Sequence, residues 1–361
     1  MLKTIIVICD GLPDRPLRVL AGKTPLEAAE TPNLDKLAVD GISGMMHTVD
    51  VGVRPGSDTA HLAILGYDPY IYYTGRGPYE CAGIGLEVLP GDVAFRANAG
   101  TVGSSGMVID RRAGRISSTR KIIDCLGEIK IDGIEFIMKP GLSHRIGLIA
   151  RGKGLSPKIS DQDPHKVNAP VLKVKPQDMS KEAQFTAEVM NKFSGAVTEK
   201  LSAAPFNQER KKQGLPEANT ILFRGAGSLP EGLLSFYEKY HLKAAFIAGA
   251  PFYKGIAKVF GIDVADIPAG KGVTGLPDSN LNFKIETAIR LINDYDMVFV
   301  HFKGADTLTE DGDFEGKIKF IEKIDAAIKP LVLREDILAV ITSDHTTSSE
   351  LLIHTADPVP I

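Results

Sequence analysis

Apolar residues along this chain follow two distinct periods. Three short runs, Ile5 to Cys9 in "TIIVIC", about Met297 to Phe302 in "YDMVFVHFKGAD" and about Ile337 to Thr342 in "ILAVITSDH", are continuous and rich in β-branched residues. That is the pattern of strands buried on both faces. Between the last two, "FEGKIKFIEKIDAAIKPLV" repeats its apolar residues at helical spacing. Strand, helix, strand in that order predicts a right-handed crossover and parallel neighbours. "VRPGSDTAHLAILGYDP" predicts a sharp turn at Pro55 and Gly56 followed by a short apolar helix.

A different pattern fills the middle of the chain. "FRANAGTV" and "VIDRRAGRIS" alternate apolar and polar residues between glycine turns, which predicts a small antiparallel sheet. "SKEAQFTAEVMNKFSGAVTEKL" predicts a long helix with Ser180 as N-cap and Glu182 behind it, its apolar face packed on that sheet. The Gly- and Pro-rich joints at "GRGPYECAG" and "KKQGLPEAN" divide the chain into one domain of residues 1–82 with 222–361 and an insertion of residues 83–221. The sequence shows neither internal repeats nor low-complexity tracts.

Each predicted parallel strand runs into a metal-type ligand. Asp10 follows the first, Asp306 the second, and Asp344 with His345 the third. In such sheets ligands bind beyond the carboxyl ends of the strands. Singly, each aspartate reads as a turn former or N-cap. Together at one edge the carboxylates repel, and Asp with His forms an ordinary ligand set for zinc, manganese or magnesium. His354 in "ELLIHTADPVP" falls where a short hairpin returns it to that edge. Ser57 admits two readings. It is either an N-cap or a nucleophile at a helix N-terminus, where N–H groups favour a phosphate. His61, one turn further on, reads as a packing residue.

Composition narrows the class. With 43% hydrophobic and 24% charged residues, the 361-residue chain is an ordinary globular protein with room for two domains. A net charge of −3 offers no basic field for nucleic acid or an anionic membrane. Cys9, Cys81 and Cys125 make neither a disulfide framework nor a zinc set, which suits the reducing cytoplasm. "TIIVIC" is too short for a signal core or a membrane span. "GLIARGKG" imitates a phosphate-binding loop but has Gly154 where Ser or Thr is required.

The strand-terminal Asp10-Gly11, "GSDTAHLAILGYDP", "YYTGRGPYE", "DVAFRANAGTV", "VIDRRAGRIS", "RGKGLSPKISDQDPH", "SDH" and "HTADPVP" resemble, nearly end to end, the archaeal-type 2,3-bisphosphoglycerate-independent phosphoglycerate mutases of the alkaline phosphatase superfamily. The resemblance implies an α/β fold: an alkaline-phosphatase-like, mostly parallel sheet flanked by helices, interrupted by a smaller α+β cap that closes to exclude water. It implies interconversion of 3- and 2-phosphoglycerate through a phosphoserine at Ser57, with a small-molecule phosphoglycerate as partner and the oligomeric state, homo-oligomer included, left open. It implies two divalent ions, Mn²⁺ first, with Mg²⁺, Co²⁺ or Zn²⁺ as alternatives. Asp10, Ser57, Asp344 and His345 match ligands of one, and Asp306 and His354 ligands of the other. Lys254 matches a lysine that meets the transferring phosphoryl. Asp110 and Arg111 match a substrate-binding pair, with Arg145, Arg151 and Arg224 as candidates for phosphate or carboxylate.

Two departures stand out. Glu310 occupies the place of a histidine in the family's Asp-x-x-x-His segment, and a glutamate oxygen favours harder cations. Family members also continue beyond "DPVPI" with another strand and helix. The rival readings are a phosphatase, phosphodiesterase or phosphosugar mutase of the same superfamily, and a non-catalytic phosphometabolite sensor.

Overall fold

The computed structural model describes residues 2–361 and divides into two compact units. One contains residues up to Tyr73 together with Leu233–Ile361, and the other contains Thr74–Gly232. The division falls outside the expected joints at 82 and 222 because local pairing draws both flanks into the second unit. Helix Gly77–Gly83 packs so closely on strand Val93–Val102 that a Cβ on Gly77 would run into the Ala94 carbonyl. Strand Thr220–Gly227 pairs with the same strand.

The first unit is a mixed α/β structure around a five-stranded parallel sheet. Its spatial order is Asp263–Val264, Ala244–Ile247, Met297–Phe302, Lys3–Cys9, Ile337–Thr342. The Met297–Phe302 and Ile337–Thr342 strands end where the sequence predicts, and the helix between them spans Phe314–Val332. Asp313 caps that helix through Gly316 N, 2.8 Å away, and Pro330 sits near its C-terminal end. The two strands are parallel but are not neighbours, because the first strand lies between them and pairs with both. Its run of Ile and Val is apolar enough for this central place. Ile5, Val7 and Cys9 share one buried cluster with Ile321, Ile324 and Ile328 of the long helix and Ile285 and Ala288 of helix Leu281–Leu291.

Register then positions the chemistry. Ile8 lies opposite both His301 and Thr342, so Asp10, Lys303 and Ser343 to His345 all leave the sheet at one edge. The segment after Thr342 folds back as a hairpin, Thr346–Ser348 against Ile353–Thr355, with Thr347 opposite His354. That hairpin returns His354 to the edge.

The second unit holds a six-stranded sheet whose pairings are all antiparallel. Helix Lys181–Ser202 lies on it, capped by Ser180 as expected. Its Phe193 stacks on Phe136 at 4.2 Å between ring centroids, and Val189, Met190, Val197 and Leu201 complete the core. Among the described residues no helix is long and apolar enough to cross a membrane.

Candidate active site

Asp10 is fully buried and its two carboxylate oxygens are treated differently. Oδ2 accepts from the Tyr253 hydroxyl at 2.6 Å and from His301 Nε2 at 3.0 Å, with Lys303 Nζ at 3.4 Å. Oδ1 has no hydrogen-bond partner among the described residues, and neither has Asp344 Oδ2. His345 Nε2 lies 3.4 Å from Asp10 Oδ1 and 3.3 Å from Asp344 Oδ2, and the three residues present ligand atoms within 4.8 Å of one another. Asp344 spends its other oxygen on the backbone N–H groups of Gly11, at 3.1 Å, and His345, at 3.0 Å. Gly11 has to be glycine: its φ is +67°, and a Cβ would lie 2.7 Å from Asp306 Cα.

Ser57 is the first residue of helix Ser57–Ile64, and Gly56 rather than a serine or aspartate is the N-cap. Thr59 takes the capping role by accepting from Gly56 N at 3.1 Å. The serine hydroxyl is thereby released from capping, and Ser57 Oγ lies 3.2 Å from His345 Nε2. His61 is buried, as a packing residue should be, yet it also positions the serine turn by holding Ser57 O at 2.6 Å through Nδ1. Its ring sits against Tyr253 and His301, which stack on each other at 3.7 Å.

A second group shares His345. Asp306, His345 and His354 also present ligand atoms within 4.8 Å of one another. Asp306 Oδ2 pairs with Lys303 at 2.6 Å, while Oδ1 faces His354 Nε2 at 3.2 Å. Glu310, mostly exposed at the end of helix Gly304–Glu310, reaches to 3.9 Å from the same nitrogen.

The electrostatics are those of a cation site. Burial, and then the nearby charges of Asp10 and Asp306, push the Asp344 carboxyl well above the usual carboxylate range. Asp10 stays low: burial opposes its charge, but Lys303 and the His301 hydrogen bond outweigh it. Burial pushes His345 and His61 down to about 4 and His301 down to about 3, so all three rings are neutral near pH 7. Burial also lowers His354, but its bond to Asp306 more than compensates and the net shift is upward. Buried carboxylate oxygens lacking donors, beside a neutral imidazole, are groups that a divalent ion satisfies. The residues present therefore fit metal binding.

Lys254, on helix Pro251–Val259, follows Tyr253 but belongs to neither group. Burial and then Lys258 lower its amine. In the second unit, Asp110 receives the backbone N–H groups of Arg112 and Gly114 and so shapes a turn. Arg111 grips Asp163 with two bonds of 2.9 and 2.6 Å, and Arg151 grips Asp92 with 2.9 and 2.7 Å. Arg224 contacts His165 Nδ1 at 3.1 Å and keeps a buried Nε without a hydrogen-bond partner. Arg145 lies 3.7 Å from Glu80, a buried carboxylate also approached by Arg76 at 3.0 Å and Arg96 at 3.4 Å.

Sequence reasoning missed Arg96, Tyr253, His301, Lys303 and Thr347. Burial lowers Arg96 to about 9, and its Nε is another unpartnered buried donor. Its strand register places it opposite Arg224. The signal available in the sequence was a charge inside the otherwise apolar "VAFRANAGTV". Tyr253 and His301 gave less, since each sits within a run that reads as core.

A family model described as 2,3-bisphosphoglycerate-independent phosphoglycerate mutase matches residues 38–207. A protein of that name from Methanococcus maripaludis is 48% identical over all of this chain and 88% of its own length. One from Archaeoglobus fulgidus, with the suffix 1, is 46% identical over 99% of this chain and 87% of its own. Among solved structures, the cofactor-independent phosphoglycerate mutase of Thermoplasma acidophilum aligns with a TM-score of 0.70 and 38% identity. That alignment covers 100% of this chain and 89% of the other.

Proposed function

Because this chain belongs to the 2,3-bisphosphoglycerate-independent phosphoglycerate mutases, we propose that it interconverts 3-phosphoglycerate and 2-phosphoglycerate through a phosphoserine at Ser57. The observation that carries the serine's role is its free hydroxyl at a helix N-terminus, 3.2 Å from His345 Nε2. In this reading the substrate's phosphoryl passes to Ser57 Oγ as its bond to the 3-oxygen breaks; the serine gives up one proton and the leaving 3-oxygen takes one up, which releases glycerate. Glycerate then turns, and its 2-hydroxyl takes the phosphoryl back, restoring the serine. Helix N–H groups beside Ser57 favour the phosphate.

Asp10, Ser57, Asp344 and His345 would hold one divalent ion, and Asp306, His354 and Glu310 a second. Bound there, such ions supply charge neutralisation for the phosphoryl group and a lower pKa for the serine hydroxyl. Manganese or magnesium suits the oxygen-rich second set best. Lys254 is assigned to the transferring phosphoryl. Arg96, Arg145 and Arg224 are assigned to the substrate's other anionic group, with Arg111 and Asp110 shaping that surface. Arginine suits the task because its planar fork pairs with two oxygens at once. We read the first unit as the alkaline-phosphatase-like catalytic domain and the second as an inserted cap. The free thiols of Cys9, Cys81 and Cys125 favour a reducing cytoplasm.

The test is conversion of 3-phosphoglycerate coupled to enolase, without 2,3-bisphosphoglycerate, after metal stripping and readdition of Mn²⁺, Mg²⁺, Co²⁺ or Zn²⁺ singly. Metal-restored turnover with little free phosphate is the expected result. Phosphate release without isomerisation would make the protein a phosphatase, and silence with every ion would make it a sensor.

A further inference from the structure

Thr347 is fully buried on the returning hairpin, between the two ligand groups. Its Oγ1 lies 3.1 Å from Asp306 Oδ1 and 3.0 Å from His345 Nδ1. A hydroxyl has one proton to give and lone pairs to receive. Asp306 is salt-bridged to Lys303 at 2.6 Å and so is an acceptor only. The threonine proton therefore goes to Asp306, and the His345 ring must donate Nδ1–H to the threonine oxygen. Nε2 is left as a bare lone pair. It faces Ser57 Oγ at 3.2 Å, Asp344 Oδ2 at 3.3 Å and Asp10 Oδ1 at 3.4 Å.

Thr347 has little freedom to move. Its N–H donates to Pro13 O at 3.2 Å, and its carbonyl accepts from buried Lys317 Nζ at 3.1 Å. Lys317 is itself paired with buried Asp14 at 2.9 Å. The space for the threonine hydroxyl exists only because residue 11 has no side chain: a Cβ there would lie 2.7 Å from Thr347 Oγ1.

We propose that Thr347 is a positioning residue that locks His345 in its Nδ1–H tautomer and ties the two ligand groups together through Asp306. The consequence is a convergence of electron pairs. His345 Nε2, Asp10 Oδ1 and Asp344 Oδ2 all point lone pairs into one space beside Ser57. This inference deepens the metal-site reading, and its first readout does not depend on turnover.

That readout is the ¹⁵N chemical-shift pattern of the histidine rings in metal-stripped, ¹⁵N-histidine-labelled wild-type protein, with His345→Gln to assign the signal. A protonated Nδ1 and bare Nε2 at His345 are expected, and the opposite tautomer overturns the proposal whatever any variant does. Thr347→Val, which keeps the shape and removes the hydroxyl, should mix the tautomers and weaken Mn²⁺ binding by roughly 10- to 100-fold in calorimetry. Thr347→Ser should restore both. Wild-type tautomer and Mn²⁺ affinity in folded Thr347→Val would reduce Thr347 to packing. A mutase assay that fails while the tautomer is as expected would refute the proposed activity and leave this inference standing.

Discussion

Replacing Asp344 by asparagine removes one of two buried carboxylates that face each other with an unpartnered oxygen apiece. The size of the effect follows from the geometry. At 4.8 Å, the limit of separation within the group, two unit charges in a medium of effective dielectric about 20 repel by about 3 kcal/mol. Asparagine keeps the oxygen that accepts from Gly11 and His345 and carries no charge to repel Asp10. Metal-stripped Asp344→Asn should therefore be more stable than metal-stripped wild type, by about 3 kcal/mol where both wild-type carboxylates are ionised.

The pH dependence has a definite sign. The Asp344 carboxyl is raised in the folded protein by burial, Asp10 and Asp306, so the folded state holds its proton more tightly than the unfolded state. Wild type then loses stability as pH rises above the unfolded value near 3.9 and stops losing it once the folded group has ionised. The variant's advantage should be small at about pH 4 and grow toward neutrality. Urea denaturation of both stripped proteins at several pH values measures it. Saturating Mn²⁺ should reverse the order, since a ligand at 100 times its dissociation constant adds about 3 kcal/mol to the protein that binds it. An Asp344→Asn protein no more stable than wild type at neutral pH without metal would refute the reasoning, because the carboxylates would then have no repulsion for a cation to relieve.

Other outcomes follow from the same geometry. Glu310→His should shift competitive metal binding from Mn²⁺ and Mg²⁺ toward Zn²⁺ and Co²⁺, measured by calorimetry against each ion in turn. Ser57→Ala should abolish labelled phosphoenzyme and cut kcat by at least ~10³-fold, yet melt like wild type because Thr59 caps the helix. Gly11→Ala should destabilise by at least ~1–2 kcal/mol from its left-handed φ alone, and by more from the contact with Asp306 Cα, read by denaturation at fixed metal.

Much of the candidate site's edge was legible because it depends on local pattern. Continuous β-branched runs end at Cys9, Phe302 and Thr342, and parallel register carries the next polar residues to one place. The helix Phe314–Val332 was legible for a similar reason, since its spacing is unbroken. Strand order was not. The interior place of Lys3–Cys9 depends on pairings with strands far along the chain. His301 and Tyr253 were hidden because a buried polar side chain inside an apolar run looks like an exception until its partner, here Asp10, is known. Thr347 was hidden because its meaning lies in a hydroxyl shared between residues on two different elements. Arg151 shows the converse: the sequence offers an arginine for an anionic ligand, and the fold gives it Asp92.

The strand order also carries a consequence for the order of synthesis. Lys3–Cys9 is made well before both of its sheet neighbours, Met297–Phe302 and Ile337–Thr342, and Asp10 meets His301 across 291 residues. The antiparallel sheet of the second unit draws all its strands from within Val93–Gly227 and is complete long before. On the ribosome the middle of this protein can thus fold while its apolar N-terminal strand still waits with both edges unpaired, open to association with other chains. The Asp10 group assembles only when the 297–302 and 337–342 strands close around it, so a nascent chain has no such ligand group until His345 has emerged.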